Sequence, residues 1–258
     1  MDVDATAPRD DLVYATSGGI WGALSNRHAG FGQPKLLSAY FSAAHGWDVK
    51  TVQEGLRFGH FIKRGLFAKD LLMASARGIL VARNFLDSFG VPQLWSDYAA
   101  SPAALATLQV RDLNGDGFDN VVVRDLALGQ VLVLTTRTGG LGGIALNAPQ
   151  AWMTFAGQTN STGWSDPNHG ATIGVARFGK KMMLTAGSTT GVIYSTASAG
   201  AFNAGWRHLC NTCYTTLTDW RPERQAAAIA WADLDGSGSE WVIFTRNTGL
   251  EIAPGITP

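Results

Sequence analysis

Five times along the chain a short run of β-forming residues is followed, eight or nine residues on, by a glycine and a second such run. The copies read DLVYATSGGIWGAL (11–24), DLLMASARGILVAR (70–83), NVVVRDLALGQVLVL (120–134), MLTAGSTTGVIYS (183–195) and WVIFTRNTGLEIA (241–253). Their glycines, Gly19, Gly78, Gly129, Gly191 and Gly249, are 59, 51, 62 and 58 residues apart. Internal repetition constrains a fold more than composition does, because each copy is one supersecondary unit that buries its apolar face only by stacking on its neighbours. Each copy predicts a β-hairpin, two half-alternating strands around a turn rich in Gly, Thr, Ser and Asn.

A second feature keeps step with the hairpins. Trp47, Trp164 and Trp220 each precede by eleven residues an apolar residue (Phe58, Val175, Trp231) at the end of a further strand, in LRFGHF, IGVARF and AIAWAD. Trp95 does the same with a longer spacer, reaching Val110 in TLQVRD. One unit is then an inner strand, a loop, a hairpin and an outer segment ending near a tryptophan. Four strands repeated every 50–60 residues predict an all-β chain, a β-propeller of about five four-stranded blades. The units fall near 1–48, 49–100, 101–164, 165–220 and 221–258, in a single domain over 1–258 whose terminal blades are incomplete. No sustained helical periodicity lies between them, which argues against a parallel α/β architecture.

Two of the loops carry oxygen-bearing side chains on alternate positions, in RDLNGDGFDNVVVRD (111–125) and ADLDGSGSEWVIFTR (232–246). An EF-hand would need a Glu at the twelfth position and flanking helices. Counting from Asp112 and Asp233 that position is Val123 and Phe244, inside β-forming runs, so both copies fail the EF-hand pattern. What remains is a calcium-type loop leading into a strand. In the first, Asp112, Asn114 and Asp116 offer side-chain oxygens and Phe118 its carbonyl, with Asn120 closing the shell. Calcium takes 6–8 oxygens at flexible geometry, and glycines let such a loop curl. The plainer alternative is a turn whose Asx side chains bond their own backbone. In the second, Asp233, Asp235 and Ser237 are weaker ligands, and Glu240 is out of phase with them. At the equivalent places the other units read RGLFAKD and GKK, where Lys63 or Lys181 could stand in for a cation or the loop is metal-free.

With 46% apolar and 16% charged residues and 31 glycines, the composition is that of a folded, turn-rich chain. Twenty basic and twenty acidic residues cancel, so no overall field draws the chain to nucleic acid or an anionic membrane. No apolar run approaches the ~20 residues of a membrane helix. Residues 1–10, MDVDATAPRD, have neither the basic start nor the apolar stretch of a signal peptide, which fits a non-secreted protein, export by another route, or a mature form. Cys210 and Cys213 follow His208 by two and five residues. Three zinc ligands are conceivable there, but no second pair completes a site, and a small-loop disulfide or two plain thiols are the simpler readings.

The unit GGIWGALSNRHAGFGQPKLLSAYFSAAHGWDVKTVQEGLRFGHF resembles the blade of FG-GAP/VCBS-type calcium-binding propellers, most of all the Psathyrella velutina-type lectin blades. The matching pieces are Gly19-Ile20-Trp21, Asn26 with Gly30-Phe31-Gly32, Phe41 with Gly46-Trp47, and Arg57-Phe58. The resemblance is sharp in 11–95 and 109–134. It implies bound Ca2+, an extracellular protein, and sugar pockets between consecutive blades for GlcNAc- or fucose-type glycans. It departs from the seven blades of the lectin by showing five units with ragged ends. The expected function is therefore a calcium-stabilised, non-catalytic, lectin-like binding protein.

Trp47, Arg57, Trp95, Trp164 and Trp220, with Trp206, are the residues near which a sugar is expected, an aromatic face against C–H bonds and fixed polar groups at hydroxyls. Packing between sheets is the competing reading of each tryptophan. Two alternatives stay open for the whole chain. One is a protein-interaction module of the kind seen in integrin heads, including self-association or a piece of a larger ring. The other is a polysaccharide lyase-type enzyme, disfavoured because the sequence holds no Ser-His-Asp order, no HExxH and no convincing carboxylate pair outside the loops.

Overall fold

The computed structural model describes residues 11–26, 30–62, 69–137, 144–154, 173–178, 181–188, 191–198, 200–202, 207–208, 229–232, 234, 240–246 and 249–253. The fold is all-β, and among the described residues five antiparallel sheets of three or more strands follow one another along the chain, with two-stranded ribbons at Ser25–Asn26/Gly30–Phe31 and Thr136–Arg137/Ala145–Leu146. The first has three strands, Leu12–Thr16, Gly19–Ala23 and Lys35–Ser38. The second has four, Leu56–Gly59, Asp70–Ser75, Gly78–Ala82 and Gln93–Ser96. The third runs Gln109–Arg111, Asn120–Asp125, Gln130–Leu134 and Gln150–Thr154. The fourth contains Gly174–Phe178, Lys181–Ser188 and Gly191–Ser198, with Ala201–Phe202 and Arg207–His208 both paired to the last of these. The fifth contains Ile229–Ala232, Trp241–Arg246 and Gly249–Ala253. In the first, second, third and fifth sheets the strands pair in the order in which they are named, as short antiparallel connections favour.

The marker glycines close these hairpins for two reasons at once. Gly19 and Gly78 adopt φ +123° and +106°, a region that side chains with a Cβ rarely enter. A Cβ at Gly19 would stand 2.3 Å from the carbonyl oxygen of Ser38, and at Gly78 2.5 Å from that of Ser96. The outer strand crosses that close to the turn in both sheets. Its pairing slips by one residue at matching places, between Ile20 and Trp21 in the first sheet and between Ile79 and Leu80 in the second, and such a bulge increases local twist. Thr16 and Ser75 then bridge the turn, each hydroxyl accepting the N–H two residues on, Gly18 and Arg77.

The departures from all-strand structure are short. Val49–Gly55 and Pro102–Ala106 are helices of seven and five residues. The first starts where Asp48 accepts the Thr51 N–H at 2.8 Å and its hydroxyl at 2.5 Å, an N-cap. Seven residues make two turns, too few to write a periodic signal. Among the described residues no helix is long and apolar enough to cross a membrane.

Two compact units divide the chain: Met1–Leu105 with Val110–Val121 and Leu134–Pro149, and Ala106–Gln109 with Val122–Val133 and Gln150–Pro258. In the first, Ala15, Ile20, Leu37, Phe41, Trp47, Val52, Leu71, Met73, Ala82 and Phe89 form one buried cluster. Phe89 ties it to the outer strand of the first sheet by donating its N–H to the Leu37 carbonyl at 2.8 Å. In the second, Trp152 meets Phe202 edge-on at 5.4 Å, and Val175, Leu184, Val131 and Val133 are buried.

Candidate functional site

The Asp112 loop organises itself through its acidic side chains. Asp112 accepts the N–H of Gly115 on Oδ1 at 2.8 Å and that of Gly117 on Oδ2 at 3.0 Å. Asp116 accepts the Phe118 N–H on Oδ1 at 2.8 Å and the Asn114 amide on Oδ2 at 2.8 Å. Gly115 and Gly117 take φ +75° and +84°. These are Asx bonds, and they leave further lone pairs on both carboxylates. Asn114 and Asp116 are exposed, and Asp112 and Phe118 are half-buried beside them, so these side-chain oxygens are the ones that could face a cation. Asn120 is turned inward. It is fully buried and its Oδ1 accepts the Leu113 N–H at 3.0 Å, so it holds the base of the loop. Among the described residues no three His, Cys, Asp or Glu side chains converge on one point.

The carboxylate between Phe118 and Asn120 has a different task. Asp119 Oδ2 accepts the His60 N–H at 2.7 Å, while the Asp119 N–H donates to the His60 carbonyl at 2.9 Å. His60 Nδ1 lies 3.6 Å from the same oxygen. Burial pushes the Asp119 carboxyl up, but the His60 hydrogen bonds and the charges of His60 and Lys69 outweigh it and hold the group below its ordinary value. The arrangement repeats further on. Glu240 Oε2 accepts the Arg177 N–H at 2.7 Å and the Glu240 N–H donates to the Arg177 carbonyl at 2.7 Å. Asp119 and Glu240 both hold the eighth place counted from Asp112 and Asp233, and His60 and Arg177 each follow Phe58 and Val175 by two. The residue that is out of phase as a metal ligand is in phase as a latch from one sheet to the preceding one. Asp119→Ala is expected to cost about 1–3 kcal/mol, as for a buried hydrogen-bonded group left unmet, and Asp119→Asn to recover most of it. Equal melting of Asp119→Ala and the wild type would show that the latch does not stabilise the fold.

The aromatic and arginine residues of the outer segments do not share one environment. Trp47 is buried, meets Phe41 edge-on at 5.2 Å and has the Arg77 guanidinium 4.9 Å above its ring. Replacing it removes a packed ring as well as any ligand contact. Arg57 donates through Nη1 to the carbonyls of Glu54 and Leu56 at 2.9 and 2.8 Å, and through Nη2 to that of Leu105 at 3.2 Å. Burial pushes its guanidinium pKa down. Trp95 differs from Trp47 in place. It stands within the outer strand Gln93–Ser96, where Trp152 stands within Gln150–Thr154, whereas Trp47 follows a 3-10 turn at Ala43–His45. Trp164, Trp206, Trp220, Cys210, Cys213, Lys63, Asp233, Asp235 and Ser237 lie outside the described residues. Lys181 begins its strand with an exposed side chain.

Beside Trp95 opens a cleft of about 250 Å³ lined by Ile62, Val81, Arg83, Phe85, Val91 and Gln93. Its rim is the connection from Gly78–Ala82 to Gln93–Ser96, and that connection is cross-braced. Phe85 N–H donates to the Ser88 carbonyl at 2.9 Å, Leu86 N–H to Asn84 Oδ1 at 2.6 Å and Gly90 N–H to the Arg83 carbonyl at 2.9 Å. Leu86 has φ +78°, a conformation costing an L-residue roughly 1–2 kcal/mol. A Cβ at Gly90 would come within 2.7 Å of the Phe85 ring, so the glycine gives that ring its place. Asp70, almost fully buried, sets both walls. Its Oδ1 accepts the Asn84 N–H at 3.0 Å and its Oδ2 the Ile62 N–H at 2.9 Å. The sequence reading missed Asp70, and its signal was present: Asp11 opens the first hairpin and accepts the Ser25 N–H at 2.7 Å, the same fourteen-residue offset.

Among the described histidines, His45 Nδ1 lies 3.1 Å from Ser42 Oγ on one short turn, and its ring stacks on Tyr40 at 5.5 Å. Among the described residues no carboxylate is bonded to that pair.

No protein-family profile matches this chain, and no curated protein matches it by sequence. By shape it is similar to a chain in the structure of the Photorhabdus luminescens Tc holotoxin pore, with a TM-score of 0.54 and 11% identity. The match covers 98% of this chain and 11% of that one, so this chain spans about a ninth of its neighbour's length. At that identity the likeness is one of fold.

Proposed function

We propose that the protein is a non-catalytic binding module, a β-propeller of about five four-stranded blades, stabilised by Ca2+ at the Asp112 loop, that recognises glycans outside the cell. The observation that carries this reading is the cleft beside Trp95. It combines aromatic walls for the C–H face of a pyranose with a small number of polar groups, on a braced rim. The five successive sheets and their repeated latch support the propeller, and the curled, oxygen-bearing loop supports the cation. Binding to a glycan array, competed by free monosaccharide with GlcNAc- and fucose-type ligands tried first, tests it. Phe85→Ala is expected to weaken binding about tenfold or more while leaving the melting temperature within a few degrees, since this ring is half exposed. Undiminished binding by that variant would move the site elsewhere.

A second reading, a protein-interaction module within a larger assembly, is favoured by one observation. The whole chain matches a ninth of a far longer one, so this architecture occurs embedded. Native mass spectrometry distinguishes a lone monomer from a self-associating piece.

A further inference from the structure

We infer that the cleft beside Trp95 selects an acidic pyranose, a hexuronate unit of a polysaccharide, over a neutral one. The inference rests on the glycan-binding reading and concerns Arg83. This side chain is exposed at the mouth of the cleft with its guanidinium 5.7 Å over the Phe85 ring. Among the described residues no carboxylate forms a salt bridge with it. The nearest acidic residue in sequence, Asp87, accepts the Ser88 hydroxyl at 3.0 Å. In a chain whose charges cancel overall, one cation is thus held by an aromatic face and not by an anion.

A guanidinium placed over a ring at this distance keeps its planar fork of donors, which matches a carboxylate with two parallel hydrogen bonds. The rest of the lining fits the body of a sugar ring. Phe85 and Val91 are 51% and 80% exposed, and Trp95, at 7%, lines the same cleft. These surfaces suit the C–H face of a pyranose. Gln93 supplies both a donor and an acceptor for ring hydroxyls. The cleft's 250 Å³ lies just under the roughly 300–1,000 Å³ of drug-sized ligand pockets, which suits a single ring. An inorganic anion would use Arg83 and leave the apolar walls wet. The braced rim, with Leu86 held at φ +78°, keeps Arg83 and Phe85 oriented before the ligand arrives, which reduces the ordering cost of binding.

The test uses the whole chain and a matched pair, methyl glucuronoside and methyl glucoside, read by titration calorimetry or saturation-transfer NMR. The uronoside is expected to bind at least tenfold more tightly, with an advantage that shrinks as salt rises. Arg83→Ala should erase the advantage and leave the glucoside affinity unchanged, Arg83→Lys should restore part of it, and Phe85→Ala should weaken both ligands. Equal affinity for the pair, or an advantage that survives Arg83→Ala, overturns the inference while the glycan reading stands. Displacement of the uronoside by equimolar inorganic phosphate also overturns it, since the cleft would then be a general anion site. Absence of binding by any sugar removes both readings together.

Discussion

Gly78→Ala is expected to lower the melting temperature by about 5–15 °C. Two costs add at this position. The left-handed backbone at φ +106° penalises an L-residue by roughly 1–2 kcal/mol. The new methyl would meet the Ser96 carbonyl oxygen at 2.5 Å, a backbone atom that moves only with its strand, and overpacking of this kind costs about 1–3 kcal/mol. For a chain of this size each kcal/mol shifts the midpoint by about 2–4 °C. Gly19→Ala should behave alike, because its Cβ would stand 2.3 Å from Ser38 O. Gly115→Ala is the control. It carries φ +75° but has nothing within 4 Å of its Cβ, so only the backbone cost remains and the loss should be the smallest of the three. Three equal losses would mean that the close approach of the outer strand contributes nothing.

Calcium in excess should raise the melting temperature of the wild type, and Asp112→Ala with Asp116→Ala should abolish most of that gain. A ligand that binds only the native state at a hundred times its dissociation constant stabilises it by about 2.7 kcal/mol, or roughly 5–11 °C here. The double variant also loses the acceptors of the Gly115, Gly117 and Phe118 N–H groups, so its metal-free form melts lower as well. The informative quantity is the difference with and without metal, measured for each protein. Asp233→Ala should remove less of the gain. A wild-type curve that EDTA leaves unmoved would reduce the Asp112 loop to a self-bonded turn.

The single observation that ties these expectations together is the division of labour inside one loop. Asp112 and Asp116 bond the loop's own N–H groups, while Asp119 faces the preceding sheet and Asn120 supports the loop from within. A cation gathered on the outer face would stiffen the segment that leads directly into Asp119. The Asp119→Ala and Asp112→Ala/Asp116→Ala effects are therefore expected to be partly non-additive, as for neighbours in one network.

Much of the architecture is legible in the residues alone. Hairpins at the marker glycines follow from local chemistry alone: β-formers on both sides, a turn residue that accepts positive φ, and alternation that gives each strand one apolar face. Repetition then places successive sheets along the chain. The alternation of oxygen-bearing side chains in the two loops is legible for the same reason, since it is a property of a few consecutive residues. Contacts between repeats were not legible. Glu240 reads as a misplaced ligand and Asp119 has no reading at all until Arg177 and His60 arrive from about sixty residues upstream. Asp70 sets both walls of a cleft from the start of a strand. Trp47 and Trp95 form one series in spacing, yet one is roofed by Arg77 and the other lines the cleft with Phe85 and Arg83. Strands, their order and the turns follow from the residues alone, because those depend on interactions within a dozen residues. Which carboxylates latch sheets, which tryptophan is closed over and which borders an opening emerge only in the folded chain, because each depends on what a distant segment brings to within hydrogen-bonding or van der Waals distance.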